Sequence, residues 1–469
     1  MQLVAYGAQD VYLTGNPQIT FMKVVYRRHT NFAMESIEQV FNGQADFGKR
    51  VTATISRNGD LIHKVYLQVV LPKVDVPVGA SFRWLNWIGH ILIKSVELEI
   101  GGQRIDKHYG DWMHIWNELS QSAGHQMGYA NMVGNIPALT NPVTNPTTAT
   151  SSIPVNGTSL YVPLEFFFCR NPGLALPLIA LQYHEVKINL EINNVSNCYW
   201  AAPAGAPSGT SQLGLVNVPS LSSASLWVDY VYLDTDERRR FAQAAHEYLI
   251  EQLQYTGEES TSQSINRLKL NFNHPCKELV WVVQPDDNVS DSAPQGKQWF
   301  NYTDGYDLTY DPAFLFNQPS TVVDVSGGKS GGMPGVAAGG ANSVYLPTSF
   351  EGGAGPVKSC KLVLNGHDRF YERDGRYFNL VQPYQHHENV PSNGIYVYSF
   401  ALKPEEHQPS GSCNMSRIDN ANLFLSLTSE SVNTKGPSPS SRSAKIRVYA
   451  INYNVLRIMS GMGGLAYSN

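Results

Sequence analysis

Charge is scarce in this chain. Only 16% of its 469 residues are Asp, Glu, Lys or Arg, against roughly 25% in an average soluble protein. A surface so sparing of charge implies extensive cover, by other subunits or by attached groups. The net charge is −5, and the basic clusters Arg27-Arg28 and Arg238-Arg239-Arg240 are small. Wrapping nucleic acid needs a dense cationic footprint, so direct binding to DNA or RNA is not expected. No apolar run reaches the 18 residues of a membrane span. The opening MQLVAYGAQDVYLTGNP has neither the basic nor the apolar segment of a secretory signal, which predicts synthesis in the cytosol. Cysteine is rare too. Cys169, Cys198, Cys276, Cys360 and Cys413 are an odd set without a CxxC pair. Free, mostly buried thiols in a reducing compartment are expected, not a disulfide frame.

Recognisable reaction chemistry is equally thin. Gly328-Lys329-Ser330 lacks the upstream glycine of a phosphate loop, since Val323 stands there, and Gly331-Gly332-Met333-Pro334 cannot open the helix that such a loop needs. A flexible loop is the expectation. Asp106, His108, Asp111 and His114, and likewise His367, Asp368, His386 and His387, lack the spacing of a helical zinc motif. His108 and Asp111 read as turn and helix-cap residues. No G-x-S-x-G elbow occurs. Glu97 and Glu99 read as the solvent face of a strand, not as a pair of catalytic carboxylates. These readings predict no catalytic residue, no metal and no cofactor.

What is present is the same domain twice. The run Phe32-Ala-Met-Glu-Ser-Ile37 reappears as Tyr248-Leu-Ile-Glu-Gln-Leu253, and Val65-Tyr66 reappears as Val280-Trp281. Lys94-Ser95, Leu98, Ile100 and Gly102 return in the same spacing as Lys358-Ser359, Leu362, Leu364 and Gly366. Tyr161-Val162 matches Tyr396-Val397, and Leu226–Leu233 answers Ile446–Tyr453. A period this long is a whole domain, not a solenoid or propeller unit.

Strand signals dominate both halves. Val96, Leu98 and Ile100 alternate with Glu97 and Glu99, and Val186 to Ile192 alternates in the same way. One face of each such strand meets a core and the other meets water. Leu226–Leu233 is apolar on both faces and should lie centrally in its sheet. Helices are few. Asp111 is placed to cap one whose apolar positions are Trp112, Ile115, Trp116 and Leu119, and residues 236–245 read as another, acidic at its start. Residues 133–158, 201–224 and 285–357 read as long loops. Many short strands with Gly- and Pro-rich connections mean β-sandwiches. The expected fold class is all-β: two tandem eight-stranded jelly rolls with long loops and a few short helices.

Five Asn-x-Ser/Thr sequons, at Asn156, Asn194, Asn288, Asn301 and Asn414, mark sites where sugar would attach. Trp299-Phe300-Asn301-Tyr302 reads as an aromatic loop, either exposed to a host surface or packed within an assembly.

Long, ordered stretches carry a family resemblance. GAQDVYLTGNPQITFMKVVYRRHTNFAMESI (7–37), VELEIGGQRIDKHYGDW (96–112), NPGLALPLIALQYHEVK (171–187), WVDYVYLDTDERRRFAQAAHEYLIEQLQ (227–254), LNFNHPCKELVW (270–281) and NYNVLRIMSGMGGLAYSN (452–469) resemble the major capsid proteins of nucleocytoplasmic large DNA viruses, the phycodnavirus branch in particular. The resemblance implies a homotrimeric, pseudo-hexagonal capsomer tiling an icosahedral virion shell. It implies neighbouring capsomers as partners, minor capsid proteins beneath the shell, an internal viral membrane nearby, and assembly in the host cytoplasm. It divides the chain into a base segment (1–26), a first jelly roll (27–235), a helical linker (236–246), a second jelly roll (247–459) with a tower-like loop (285–357), and a tail (460–469). Two other classes stand beside it: a double-sandwich enzyme, which would need clustered His/Glu ligands in each half, and a minor capsid or attachment protein binding a host surface or glycan.

Overall fold

The computed structural model describes residues 7–17, 28–205, 211–293, 295–304, 321–324, 329–331, 343–345, 355–432 and 442–467. Most of 305–354 and parts of 1–27 therefore lie outside the described residues, and with them the bulk of the expected tower and base segments.

Sixteen of the described strands form the walls of the two sandwiches. In the first they are β1 (Phe32–Val40), β2 (Arg50–Thr54), β3 (Leu61–Val70), β4 (Ile93–Ile100), β5 (Gln103–His108), β6 (Ser159–Pro163), β7 (Val186–Ile192) and β8 (Ser223–Leu233). In the second they are β9 (His246–Thr261), β10 (Ile265–Lys269), β11 (Pro275–Pro285), β12 (Val357–Leu364), β13 (His367–Asp368), β14 (Ile395–Ser399), β15 (Ala421–Leu427) and β16 (Ala444–Met459). The first half pairs as β1-β8-β3-β6 and β2-β7-β4-β5. The second pairs as β9-β16-β11-β14 and β10-β15-β12-β13. Each strand has its counterpart eight strands later, in the same place in the same sheet. These are two jelly rolls in tandem.

Alternation sets the inner faces. Leu98 and Ile100 of β4 and Ile188 and Leu190 of β7 close on Leu67, Leu226 and Val228 across the first sandwich, all of them buried. Leu279, Trp281, Leu362, Leu423 and Val448 do the same in the second. As expected from its two apolar faces, β8 lies between β1 and β3. Burial is dense on both sides because each sandwich wall carries apolar side chains at every second position.

Register corrects the sequence alignment in three places, the first on β1 and β9, where Ile37 packs on the first core while Leu253 turns to the other face of its sheet. Val65 is buried in the first core and Tyr66 points away from it, whereas Trp281 faces the second core and Val280 faces outward. Tyr161 and Tyr396 are mismatched in the same manner. The strands correspond, but these three motif pairs are an odd number of residues out of phase, which inverts every side chain.

Two helices extend the first sandwich after β5: α1 (Gly110–Ser120) and α2 (Ala123–Val133). The stretch 133–158, expected as loop, is partly folded: Val143–Thr144 pairs with Ser81-Phe82, Ile153–Val155 pairs with Val74–Val76, and Leu139 and Val155 are buried. A third helix, α3 (Thr235–Gln243), connects the sandwiches. Asp234 caps it by accepting from the Glu237 amide at 3.0 Å. Lys329–Gly331 is a strand paired to Thr321–Asp324, which replaces the flexible-loop expectation for Lys329 and Ser330.

Gly110 is required where it stands. A Cβ there would lie 2.3 Å from the His90 carbonyl oxygen and 2.5 Å from that of Ile93. In the second half, a Cβ on Gly375 would lie 2.0 Å from the Val357 carbonyl oxygen. Both glycines let a helix start against the first residue of a sandwich strand, Ile93 of β4 and Val357 of β12. Gly110→Ala and Gly375→Ala should each destabilise the fold by about 1–3 kcal/mol through overpacking, measured as a shift in the denaturation midpoint.

Candidate functional site at the interdomain seam

The seam is built by α1. Its apolar positions Trp112, Ile115, Trp116 and Leu119 are all buried against Val280, Val282, Ile395, Val397, Tyr449 and Ile451. Those six residues form the outer face of the β9-β16-β11-β14 sheet, so that sheet is apolar on both sides. The indole of Trp112 lies 5.3 Å from the Tyr449 ring and 5.8 Å from that of Trp116. Each large side chain so buried contributes roughly 2 kcal/mol from apolar area alone. The far ends of β9 and β16 return the contact: Ile250, Leu456 and Ile458 belong to the core cluster of the first sandwich. The two domains clasp each other.

Asp111 does not cap α1. Tyr109 holds the cap position, and Asp111, in the first turn, forms an ion pair with Arg447 at 2.7 Å. Gly110 must come first because of its close approach to the His90 and Ile93 carbonyls, which pushes the carboxylate one place inward. Burial works against the Arg447 charge, but Asp111 more than offsets it and the guanidinium is held firmly protonated.

The histidines are buried, not turn residues. His108 meets Asp106 at 2.9 Å, and His114 meets Glu118 at 2.9 Å. Burial alone would raise Glu118, yet His114 and the Ser392 amide and hydroxyl, which donate at 2.8 and 2.6 Å, bring it below the usual carboxylate range. Ser392 belongs to the second sandwich, so Glu118 is also a bolt across the seam. Among the described residues no group of three or more His, Cys, Asp or Glu is arranged to hold a metal ion.

A second polar cluster lies beside α1. Lys277, with no exposed side-chain surface, pairs with Glu251 at 2.6 Å and donates to the Pro404 carbonyl. Arg170 reaches the same Glu251 at 3.4 Å while its guanidinium stacks 4.2 Å over Trp116. His387 stands between Glu278 and Glu405, each 2.8 Å away on opposite ring nitrogens. Nothing in the sequence spacing marks His387 as the centre of this cluster, because its partners lie on β11 and on the chain after β14.

Sequence-derived sites fall in different settings. Asn156, Asn194 and Asn414 are exposed, although Asn414 Oδ1 also accepts from the Ser416 amide at 3.1 Å. Asn288 is fully buried: its amide donates to the Asn301 and Thr303 carbonyls, and its oxygen accepts from Arg442. The folded chain offers no access for attachment there. Asn301 is half-buried, donating to Gln298 and accepting from the Thr303 amide and hydroxyl. The aromatic run around it is not an exposed host-binding loop. Tyr302 is buried in the seam, Phe300 stacks 4.3 Å from His114, and Trp299 donates to the Asn197 carbonyl. Glu97 and Glu99 are half-covered: Arg50 and Lys107 each meet Glu97 at 2.8 Å, and Asn189 donates to Glu99. Cys169, Cys198, Cys276 and Cys360 are buried and Cys413 is partly so, with no disulfide, and burial pushes their thiols upward in pKa.

A cleft of about 340 Å³ opens along the seam, lined by His90, Lys94, Asp111, Tyr255, Lys445 and Arg447 among others. It contains ion pairs already closed on each other, not a nucleophile beside a base.

His387 gives the seam region a pH dependence. Burial lowers its pKa, but the two carboxylates outweigh that and raise it from 6.5 to about 9. The ion pairs are therefore fully present below pH 6.5 and weaken as pH rises through 9. Thermal stability should fall over that window in the wild type and lose that component in His387→Ala. The substitution should cost about 3–5 kcal/mol near neutral pH, because Glu278 is left buried without its partner.

Comparison with known proteins places this architecture. Residues 20–234 match the family described as major capsid protein N-terminus, and residues 237–464 match the large eukaryotic DNA virus major capsid protein family. The major capsid protein of Phaeocystis pouchetii virus is 56% identical, with 100% of this chain and 99% of that protein covered. A chain of the quasi-atomic model of the PBCV-1 virus capsid is 39% identical with a TM-score of 0.67, covering 96% of this chain and 100% of that one. The Faustovirus major capsid protein, only 14% identical, shares the fold with a TM-score of 0.69 over 97% of this chain and 94% of its own. Two jelly rolls clasped by a buried helix, matched along nearly the whole sequence, place this chain in the family of large eukaryotic DNA virus major capsid proteins, with a structural role in the virion shell.

Proposed function

We propose that three copies of the chain close into a ring, and that this ring is the pseudo-hexagonal capsomer from which the icosahedral shell is tiled. The observation that carries this is the repeated strand order, 1-8-3-6 with 2-7-4-5 and the same series eight strands on. Two similar walls per chain give six per ring, and a six-sided outline packs edge to edge. Because the two walls come from different sequence, each can adapt to its own neighbour. Closed cyclic symmetry is the usual solution for such self-association.

In this reading residues 27–235 and 247–459 are the two walls, joined through 236–246, with 460–469 as a tail. Residues 1–26 form the base of the capsomer and 285–357 its outward tower. Partners are other copies of the chain, neighbouring capsomers, minor capsid proteins under the shell and an internal membrane close by. The chain carries no cofactor, performs no reaction and does not contact nucleic acid directly. Sugar, where attached, sits on Asn156, Asn194 or Asn414, whose side chains are exposed. The chain is made and assembled in the host cytoplasm. The attachment-protein alternative rested on the aromatic run 299–302, and its burial leaves that alternative without support.

Light scattering on the purified protein should give about three times the 51.9 kDa of the chain, and electron microscopy should show threefold particles with a hexagonal base. A species that stays at one chain across salt and pH would overturn the ring.

A further inference from the structure

The helix at the seam is itself duplicated. Gly110-Asp-Trp-Met-His-Ile-Trp-Asn-Glu-Leu119 aligns without a gap on Gly375-Arg-Tyr-Phe-Asn-Leu-Val-Gln-Pro-Tyr384. The second copy runs through a π-helical turn, Tyr377–Val381, into α4 (Gln382–His386). Its inner face repeats the first faithfully. Met113 and Phe378 enter their respective cores, His114 pairs in position with Asn379, and Asn117 with Gln382, all six buried. Gly110 and Gly375 make the same close approach described above.

The outer faces differ. Trp112, Ile115, Trp116 and Leu119 are buried under the second sandwich. Their counterparts are bare: Leu380 and Val381 are each 38% exposed and Tyr384 is 80% exposed, with Tyr377 half-covered beside them. Among the described residues nothing covers this apolar stripe.

Among the described residues the sheet that would complete it is only partly covered. Cross-strand register identifies the equivalent positions. The row Arg447–Val282–Ile395 under α1 corresponds to Trp227–Tyr66–Pro163 in the first sandwich. The pair Leu253–Ile451 corresponds to Met34–Val231. Met34 is 51% exposed, and Tyr66, Trp227 and Pro163 are only half-buried. Phe241 of α3 packs at one end of this face, on Leu61, Val231 and Leu233. Charge is exchanged between the two settings. Within the chain the helix brings Asp111 to Arg447 of the sheet. In the second setting the helix carries Arg376, and the sheet carries Trp227 with Glu38 directly across from it and Asp229 two residues on. A guanidinium on an indole beside carboxylates is a favourable contact.

We propose that the outer face of residues 376–385 docks on the outer face of the β1-β8-β3-β6 sheet of a second copy of this chain, repeating between chains the seam that α1 makes within one. The contact is head-to-tail, so it closes only as a ring, and it supplies the interface of the three-chain ring proposed above, on which it rests.

Two double variants separate the faces. Leu380→Asp with Tyr384→Asp removes the helix face, and Met34→Asp with Tyr66→Asp removes the sheet face. Circular dichroism melts confirm that each is folded. At concentrations where the wild type runs as three chains, each variant should run as one, a threefold loss of mass. Mixed, they should yield a cross-linkable species of two chains, because the intact helix of one meets the intact sheet of the other and no third contact remains. If either variant melts early, Tyr384→Lys alone, at a highly exposed position, should weaken assembly at least tenfold in the concentration required. Variants that keep the three-chain mass, or a mixture that stays monomeric, would overturn this interface while leaving the ring intact. A wild type that never exceeds one chain would instead overturn the ring itself.

Discussion

Everything in this molecule turns on how one sheet comes to be buried on both sides. A jelly roll normally keeps an apolar face for its core and leaves the other to solvent. In the second sandwich the outer face of β9-β16-β11-β14 carries Val280, Val282, Ile395, Val397 and Ile451, which would be a large exposed apolar patch in isolation. Helix α1 covers it with two tryptophans, an isoleucine and a leucine. The domains are therefore not beads on a string. Neither buries its apolar surface without the other, and the clasp of β9 and β16 into the first core makes the dependence mutual.

Burying that face also confines charge. Arg447, Lys277, Glu278, Glu251 and Glu118 sit at or beside the seam with little or no exposure, and each is matched by an opposite charge or a hydrogen bond. Such pairs add little net stability over apolar packing, but removing one member is costly. Their consequence is geometric. Asp111–Arg447 and Glu118–Ser392 can form only when the helix lies in one position on the sheet, so polar contacts fix the angle that hydrophobic burial alone would leave loose. A shell protein needs that rigidity, because an error in the angle between its two sandwiches is repeated in every copy.

The sequence was most legible where periodicity speaks. Alternation located β4 and β7, a run apolar on both faces located β8, and the apolar spacing of Trp112, Ile115, Trp116 and Leu119 identified the seam helix before anything showed what it touched. It failed where phase matters. Val65-Tyr66 and Val280-Trp281 look alike, yet one pair turns its aromatic ring outward and the other inward, and the pairing of β3 with β8 and of β11 with β16 is irregular at different points along the two strands. The aromatic run at 299–302 left two readings open, exposed to a host surface or packed within an assembly, because the residues beside it in sequence do not record what its rings meet. Its rings stack on His114 and line the seam, contacts between residues far apart in the chain. Asn288 carries a sequon like that of Asn156, and only the fold distinguishes a buried amide feeding two carbonyls from an exposed one.

By itself the sequence determined the fold class, the tandem duplication, the free thiols and the family, since these depend on local pattern and on long stretches of matched residues. Only tertiary structure decided which face of each strand is covered, which sequons can be reached, and that His387 is clamped between Glu278 and Glu405. It also decided that two copies of one helix, buried at the same positions on their inner sides, differ in whether their outer sides are covered. The physical reason is that burial and ion pairing are properties of surfaces brought together from distant parts of the chain, and no run of neighbouring residues records which surface will meet which.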